Sequence, residues 1–250
     1  MKDKLLEIKG LKKNYQSTIS EVEALEDISI DVYRNEFISI VGPSGCGKST
    51  ILSILAGLED KSAGKISFNK NNCRMGYMLQ QDCLFPWRTI LENCLLGLEM
   101  KNEVTEDNKQ YVLNLLKTYG LSDFIHQYPS SLSGGMKQRV ALIRTLALKP
   151  DILLLDEPYS ALDYQTRLAL SDDVYEIIKK EKKTAIMVTH DISEAISTSN
   201  RIIVLSNRPA TIKKIYRVKL TNSSTPIHNR KCKEFAEYYD KIWRDLDVQL

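Results

Sequence analysis

The run FISIVGPSGCGKSTILSIL, residues 37–55, limits the fold more than any other stretch of the chain. Phe37–Val41 is short, apolar and rich in β-branched residues, as a buried strand is, and a glycine loop follows at once. From Lys48 onward, Ile51, Leu52, Ile54 and Leu55 recur as they do on the inner face of a helix. The loop fits G-x-x-x-x-G-K-[ST], with Gly42, Gly47, Lys48 and Ser49 on the fixed positions. Glycines at 42, 45 and 47 let the backbone turn tightly and approach phosphate oxygens, and the amides and dipole of the following helix favour a polyanion. The pattern implies that Gly42, Pro43, Ser44, Gly45, Cys46, Gly47, Lys48, Ser49 and Thr50 wrap the phosphates of a nucleoside triphosphate. Lys48 then reaches the β- and γ-phosphates and the Ser49 hydroxyl ligates Mg²⁺. Cys46 holds a variable loop position, so its thiol needs no catalytic role.

Two further motifs carry related chemistry. In ILLLDEP, residues 152–158, four successive apolar residues suit a strand buried on both faces of a parallel sheet. Asp156 emerges at the strand tip, where its carboxylate can hold Mg²⁺ through water. Glu157 follows, placed to polarise an attacking water as general base, and Pro158 ends the ladder. Adjacent acids at a strand tip are as often plain turn residues; the phosphate loop upstream argues against that here. In LSGGMKQR, residues 132–139, Ser133 is a good N-cap for a helix whose apolar positions are Met136, Val140, Ile143 and Ala147. Gly134 and Gly135 leave its first amides bare, which makes a second anion site.

LSGGMKQR followed by the strand and DEPYSALD resembles the ATP-binding-cassette (ABC) ATPases. The segments LFPWRTILENC, YPSSLSGGMKQRVALIRTLA, DEPYSALDYQTR, VTHDISEA and RIIVLSNRP look like the importer ATPases of the nitrate, sulfonate and taurine group. The likeness runs from about Leu5 to the closing IWRDL. One departure stands at Ser130 and Ser131, where that group often carries His and Gln. The resemblance implies an α/β fold: a P-loop NTPase (RecA-like) core with an antiparallel β-subdomain and an inserted α-helical subdomain. It assigns Tyr15 to stacking on adenine, although an ordinary strand-end tyrosine is the alternative. It assigns Gln80, seven residues before Trp87, to sensing Mg²⁺ and the attacking water, with Gln81 as neighbouring candidate. His190 takes the place of the switch histidine at the γ-phosphate, and SALD, ending at Asp163, that of the loop crossing to a second subunit.

Function follows from the same resemblance as an expectation. Two copies sandwich two ATP molecules with Mg²⁺, each between the phosphate loop of one copy and Ser133, Gly134 and Gly135 of the other. The homodimer drives an integral-membrane permease, contacted near Leu84, Phe85, Pro86 and Trp87, which an extracytoplasmic solute-binding protein supplies. A non-transport ABC ATPase that regulates a membrane or assembly partner is the alternative. The length of a single cassette disfavours a translation factor, and the lack of a long coiled-coil insertion disfavours a DNA-repair protein.

Composition agrees. With 250 residues the chain can hold one sizeable α/β domain with an inserted subdomain. Its apolar runs fall far short of the roughly 20 residues that span a bilayer. MKDKLLEIKG lacks a signal-peptide core, so a peripheral protein on the cytoplasmic face of the membrane is expected. Five cysteines without C-x-x-C spacing suggest neither zinc nor a disulfide framework, and a net charge of +3 is too small to argue for nucleic acid. Residues 5–9, 22–25, 28–32 and 65–68 read as short antiparallel strands, and 37–41, 75–80, 152–156, 185–189 and 202–205 as core strands. Residues 89–98 and 105–119 read as helices within an insertion spanning about 88–145 of an ATPase domain at 1–220. Residues 221–250 supply a polar linker (TNSSTP) and a helix packed on the domain through Phe235, Tyr238, Ile242 and Leu246, with too little chain left for a regulatory domain.

Overall fold

In the computed structural model, which describes residues 3–16, 21–70, 72–160 and 162–246, the chain opens with two long antiparallel strands. These are β1 (Lys4–Gln16) and β2 (Glu21–Tyr33). The buried strand β3 (Phe37–Val41) then leads through the glycine loop into α1 (Lys48–Leu55). Next, β4 (Ala63–Phe68) pairs antiparallel with β1, and β5 (Met75–Met78) starts the far edge of the parallel layer. Helices α2 (Ile90–Met100), α3 (Glu106–Thr118) and α4 (Gly134–Ala147) come before the next strand, β6 (Ile152–Asp156). Then α5 (Tyr164–Lys180), β7 (Thr184–Val188), α6 (Ile192–Thr198) and β8 (Arg201–Leu205) alternate. The chain continues with β9 (Ala210–Arg217), α7 (Pro226–Asn229) and α8 (Lys233–Asp245).

Among the described residues the strands join in the order β4-β1-β2-β9-β8-β3-β7-β6-β5. From β8 to β5 neighbouring strands run parallel. β9 is antiparallel to β8 and parallel to β2, so it joins the core to the antiparallel wing. Alternation along the core strands separates two apolar layers. Ile38, Ile40, Ile152, Leu154, Ile186 and Val188 face α1 and the antiparallel wing. Leu153, Leu155, Ala185 and Met187 face the helical side with α2, α3, α4 and α5. Every residue of β3, β6 and β7 is buried, as strands covered on both faces must be. Thr89 and Glu92 form a capping box on α2, which stabilises such a start by about 1 kcal/mol.

Several boundaries differ from the expected ones. Segments 22–25 and 28–32 are one strand, β2; Glu26 and Asp27 read as a break, yet they lie exposed where the β1–β2 register shifts. β1 likewise runs on to Gln16, past the expected end at residue 9, because it pairs with β2 on one side and β4 on the other. β5 stops at Met78, short of Gln80, and β7 ends at Val188. Thr89 and Thr105 are caps, outside their helices. β9 was not expected at all: Lys213, Lys214 and Ile215 are exposed, leaving no apolar alternation to see.

On α8, Ile242 is fully buried in a third cluster with Val41, Ile192, Ile196 and Val204, and Phe235, Tyr238, Tyr239 and Leu246 pack around it. Ile242→Ala is therefore expected to cost about 2–4 kcal/mol, as large-to-small core changes do. Urea denaturation should show the loss, and amide exchange should show it concentrated in α8 and its contact with α6.

Candidate active site

The phosphate loop is held by its own backbone and by its neighbours. Gly47, at φ 110°, begins α1, and a Cβ there would stand 2.8 Å from Leu25 Cδ2. Glycine is the amino acid that accepts both that backbone and that contact. The Lys48 ammonium, itself buried, donates to the carbonyl oxygens of Gly42 and Pro43, both at 2.9 Å, so the loop curls around its own lysine. Cys46 is buried and burial pushes its thiol pKa up, in keeping with an inert packing role. From the β8–β9 turn, Arg208 Nε donates to Gly45 O at 3.1 Å.

Asp156 lies across from the loop. Its Oδ1 accepts from the Ser49 hydroxyl at 2.9 Å and its Oδ2 from the Tyr77 hydroxyl at 3.0 Å. Burial pushes the Asp156 carboxyl above its usual range, while these two hydrogen bonds act the other way. Tyr77 is pushed up to about 12, mainly by burial, so it stays a donor. Hydroxyl and carboxylate oxygens side by side are the hard donors that Mg²⁺ takes alongside substrate phosphates.

Glu157 sits at φ 43°, left-handed for a non-glycine residue, a conformation that costs on the order of 1–3 kcal/mol and gathers at functional sites. Its amide donates to Val188 O at 2.9 Å and its carbonyl accepts from the Ser160 hydroxyl at 3.1 Å, which fixes the turn. Two of the expected residues converge on its carboxylate. Gln80 Nε2 donates to Oε2 at 3.4 Å and to Ser160 Oγ at 3.2 Å, and His190 Nδ1 stands 3.1 Å from the same Oε2. Of the two glutamines considered, Gln80 is thus the one that the structure brings to Glu157.

Tyr15, Ser44, Gly45, Gly47, Lys48, Ser49, Thr50, Glu157 and Arg208 line one open cleft of about 270 Å³. The Tyr15 ring lies at its mouth, with its hydroxyl donating to Glu59 and the Lys13 ammonium 4.7 Å from the ring centroid. Ser133, Gly134 and Gly135 do not line this cleft. Ser133 caps α4, accepting from Met136 N at 3.3 Å. A Cβ at Gly134 would come within 2.9 Å of Leu162 Cδ2, and one at Gly135 within 3.1 Å of Thr166 Cγ2. Asp163 caps α5 through Thr166 N at 3.0 Å, and hydrogen bonds from the Thr166 side chain and then its backbone hold the Asp163 carboxyl below the usual range.

Sequence reasoning missed Tyr77 and Arg208. Tyr77 reaches Asp156 because β5 lies beside β6, and Arg208 reaches Gly45 because β8 lies beside β3. It also missed the support of the His190 turn, where the Thr189 hydroxyl donates to buried Glu194 at 2.7 Å and accepts from Asp191 N at 3.0 Å.

A phosphate loop, a strand-tip aspartate tied to its serine, and a glutamate met by a glutamine and a histidine define a P-loop ATPase. The family model described as ABC transporter matches residues 25–160, more than half of the chain. The ABC transporter ATP-binding protein YtlC of Bacillus subtilis is 45% identical over 97% of this chain and 95% of that protein. The aliphatic sulfonates import ATP-binding protein SsuB of Bacillus cereus is 37% identical over 96% of this chain and 95% of its own length. The taurine import ATP-binding protein TauB of a Jannaschia species is 40% identical over 88% and 85%. The dimeric structure of MJ0796, titled a bacterial ABC transporter cassette, superposes with a TM-score of 0.73 at 31% identity, covering 86% of this chain and 99% of that chain. The same cassette bound to ADP and Pi gives 0.72 at 30% identity. The chain belongs to the ABC transporter family and is one of its ATP-binding, ATP-hydrolysing subunits. Among the described residues no helix is long and apolar enough to cross a membrane.

Burial raises the Glu194 carboxyl from 4.5 to about 7, so the folded protein holds a proton there that the unfolded chain has released. This proton's contribution to stability is fully present below about 4.5 and lost as the pH rises through about 7. Glu194→Gln keeps an acceptor for Thr189 and removes the titration, so its stability relative to wild type should rise between pH 5 and 8. Chemical denaturation at a series of pH values measures this.

Proposed function

We propose that the chain is the ATPase subunit of an ABC importer, working as a homodimer that sandwiches two ATP molecules. The observation that carries the hydrolytic part is the meeting of Gln80 and His190 on the Glu157 carboxylate, at the edge where the phosphate loop opens. In this reading Glu157 takes the proton of the attacking water, and His190 and Gln80 hold that carboxylate in place and contact the γ-phosphate side. Lys48, with Gly42, Pro43, Ser44, Gly45, Cys46, Gly47 and Thr50, binds the phosphates, and Tyr15 carries the adenine. Ser49 and Asp156, with Gln80, would hold Mg²⁺, which offsets phosphate charge when bound. Ser133, Gly134 and Gly135 do not line the cleft of their own copy, which suits donation to the cleft of a second copy, with Asp163 at the crossing.

Glu157→Gln is expected to retain Mg·ATP binding and lose about 100-fold or more in turnover, the scale of a lost general base. Undiminished phosphate release by the purified variant would remove Glu157 from that role.

The importer part draws on the relatives named for sulfonate and taurine import. The solute would be of the nitrate, sulfonate, taurine or vitamin-precursor kind, brought by an extracytoplasmic binding protein to a permease whose cytoplasmic face this subunit meets. Phe85 and Trp87 support a partner there. Their rings stack at 5.1 Å, and Trp87 is 70% exposed, which suits a partner-facing role. The loop under them is tied by several hydrogen bonds. Buried Asn93 accepts from Phe85 N at 2.8 Å and donates to the carbonyls of Phe85, Arg88 and Thr89, while Arg144 on α4 donates to Cys83 O and Asp82 O. The loop therefore links Gln80 to the helix that Ser133 caps. Phe85→Ala with Trp87→Ala should impair permease co-purification and leave melting temperature and ATP affinity near wild type. Unaltered permease binding with a large drop in melting temperature would assign the pair to packing.

A further inference from the structure

We propose that Arg167 is a positioning residue that couples the glycines after Ser133 to the turn carrying His190. It stands on the first turns of α5 with its side chain only 23% exposed, between two groups of residues. On one side its Nη2 donates to Leu162 O at 3.2 Å. The Leu162 side chain packs so closely on Gly134 that a Cβ there would stand 2.9 Å from Leu162 Cδ2, and Thr166, the neighbour of Arg167, does the same for Gly135 at 3.1 Å. On the other side Nη1 lies 3.7 Å from Asp191 Oδ2 and Nε 3.8 Å from Glu194 Oε1.

Those two carboxylates build the His190 turn. Asp191 Oδ1 accepts from Ser193 N at 2.7 Å and Glu194 N at 3.2 Å, which leaves Oδ2 for Arg167. Glu194 Oε2 accepts from Thr189, whose oxygen in turn accepts from Asp191 N, so both neighbours of His190 are fixed through groups that face Arg167. His190 then meets Glu157 at 3.1 Å. Nη2 holds the carbonyl by a hydrogen bond, while both carboxylates stand at ion-pair distance and the buried Nε has no hydrogen-bond partner, so one planar guanidinium ties to the carbonyl and acts on the two carboxylates by its charge. A shift of Leu162 as Gly134 engages a nucleotide would thereby reach Arg167 and, through its charge, the carboxylates that build the His190 turn. Among the described residues the titratable and charged groups acting on Glu194 are Asp191 on its own helix, Arg167 from α5, Arg230 at the end of α7 and the buried Tyr159 hydroxyl. Removing Arg167 leaves two adjacent carboxylates with less positive charge and favours protonation of Glu194 at higher pH.

The inference rests on the ATPase reading of the site, and the test separates the two. In the full chain with Mg·ATP, Arg167→Met should lower kcat about ten-fold, a barrier change of about 1.4 kcal/mol, with KM for ATP within about two-fold of wild type. The pH profile of kcat should move to higher pH, the melting temperature should stay near wild type, and Arg167→Lys should recover part of the rate. Independently of hydrolysis, the imidazole proton signals of His190, identified by their loss in His190→Gln, should shift in Arg167→Met. Wild-type kcat and pH profile in Arg167→Met, or a rate loss matched by a fall in melting temperature, would overturn the proposal. If the wild-type chain hydrolyses no ATP, the ATPase reading fails, and an unaltered His190 signal would then overturn the positioning role by itself.

Discussion

The whole site depends on three adjacent parallel strands being buried on both faces. Inside β3, β6 and β7 no exposed position exists, so polar chemistry can appear only where the strands end. Because they run parallel, those ends lie on one edge, and register sets them level: Asp156 pairs with Val188, and Val188 with Ile40. The residues that follow each strand therefore rise together as the phosphate loop, the Asp156–Glu157 pair and the Thr189–His190 turn. Ligands of open α/β sheets bind at this carboxyl edge for the same reason.

At that edge the backbone takes left-handed conformations, strained at Glu157 and open to the glycine at 47. Glu157 at φ 43° and Gly47 at φ 110° bracket the cleft, and each is pinned by hydrogen bonds or by contact with a neighbouring element. The strain aims the Glu157 carboxylate at Gln80 and His190. The local cost is small beside the burial of the surrounding strands, each large apolar side chain of which contributes roughly 1.5–3 kcal/mol.

Away from the edge, the helical side is organised by a few buried polar ties. Asn93 satisfies one amide and three carbonyls of the loop at 85–89, and Arg144 satisfies two carbonyls just before it. Leaving such groups unpaired would cost about 1–3 kcal/mol each, so the loop has little freedom to move without α2 and α4. Gln80, Phe85, Trp87 and Ser133 are thereby parts of one framework, although 53 positions separate Gln80 from Ser133.

The amino-acid sequence by itself settled whatever is encoded locally. The glycine pattern at 42–47, the apolar five-residue strands, the Ser133 cap, and the order of strand, loop and helix are all short-range features, and together they read as an α/β core. The family resemblance added roles for Tyr15, Gln80 and His190, which no local pattern supplies. Tertiary structure decided what depends on which strand lies next to which. Tyr77 meets Asp156 only because β5 adjoins β6, and Arg208 meets Gly45 only because β8 adjoins β3. It also decided β9, whose exposed lysines hide its period, and the single run of β2 across Glu26 and Asp27. In each of these cases the partner that fixes the residue is distant along the chain. Local propensity carries no information about such a partner, and only the packed sheet brings the two together.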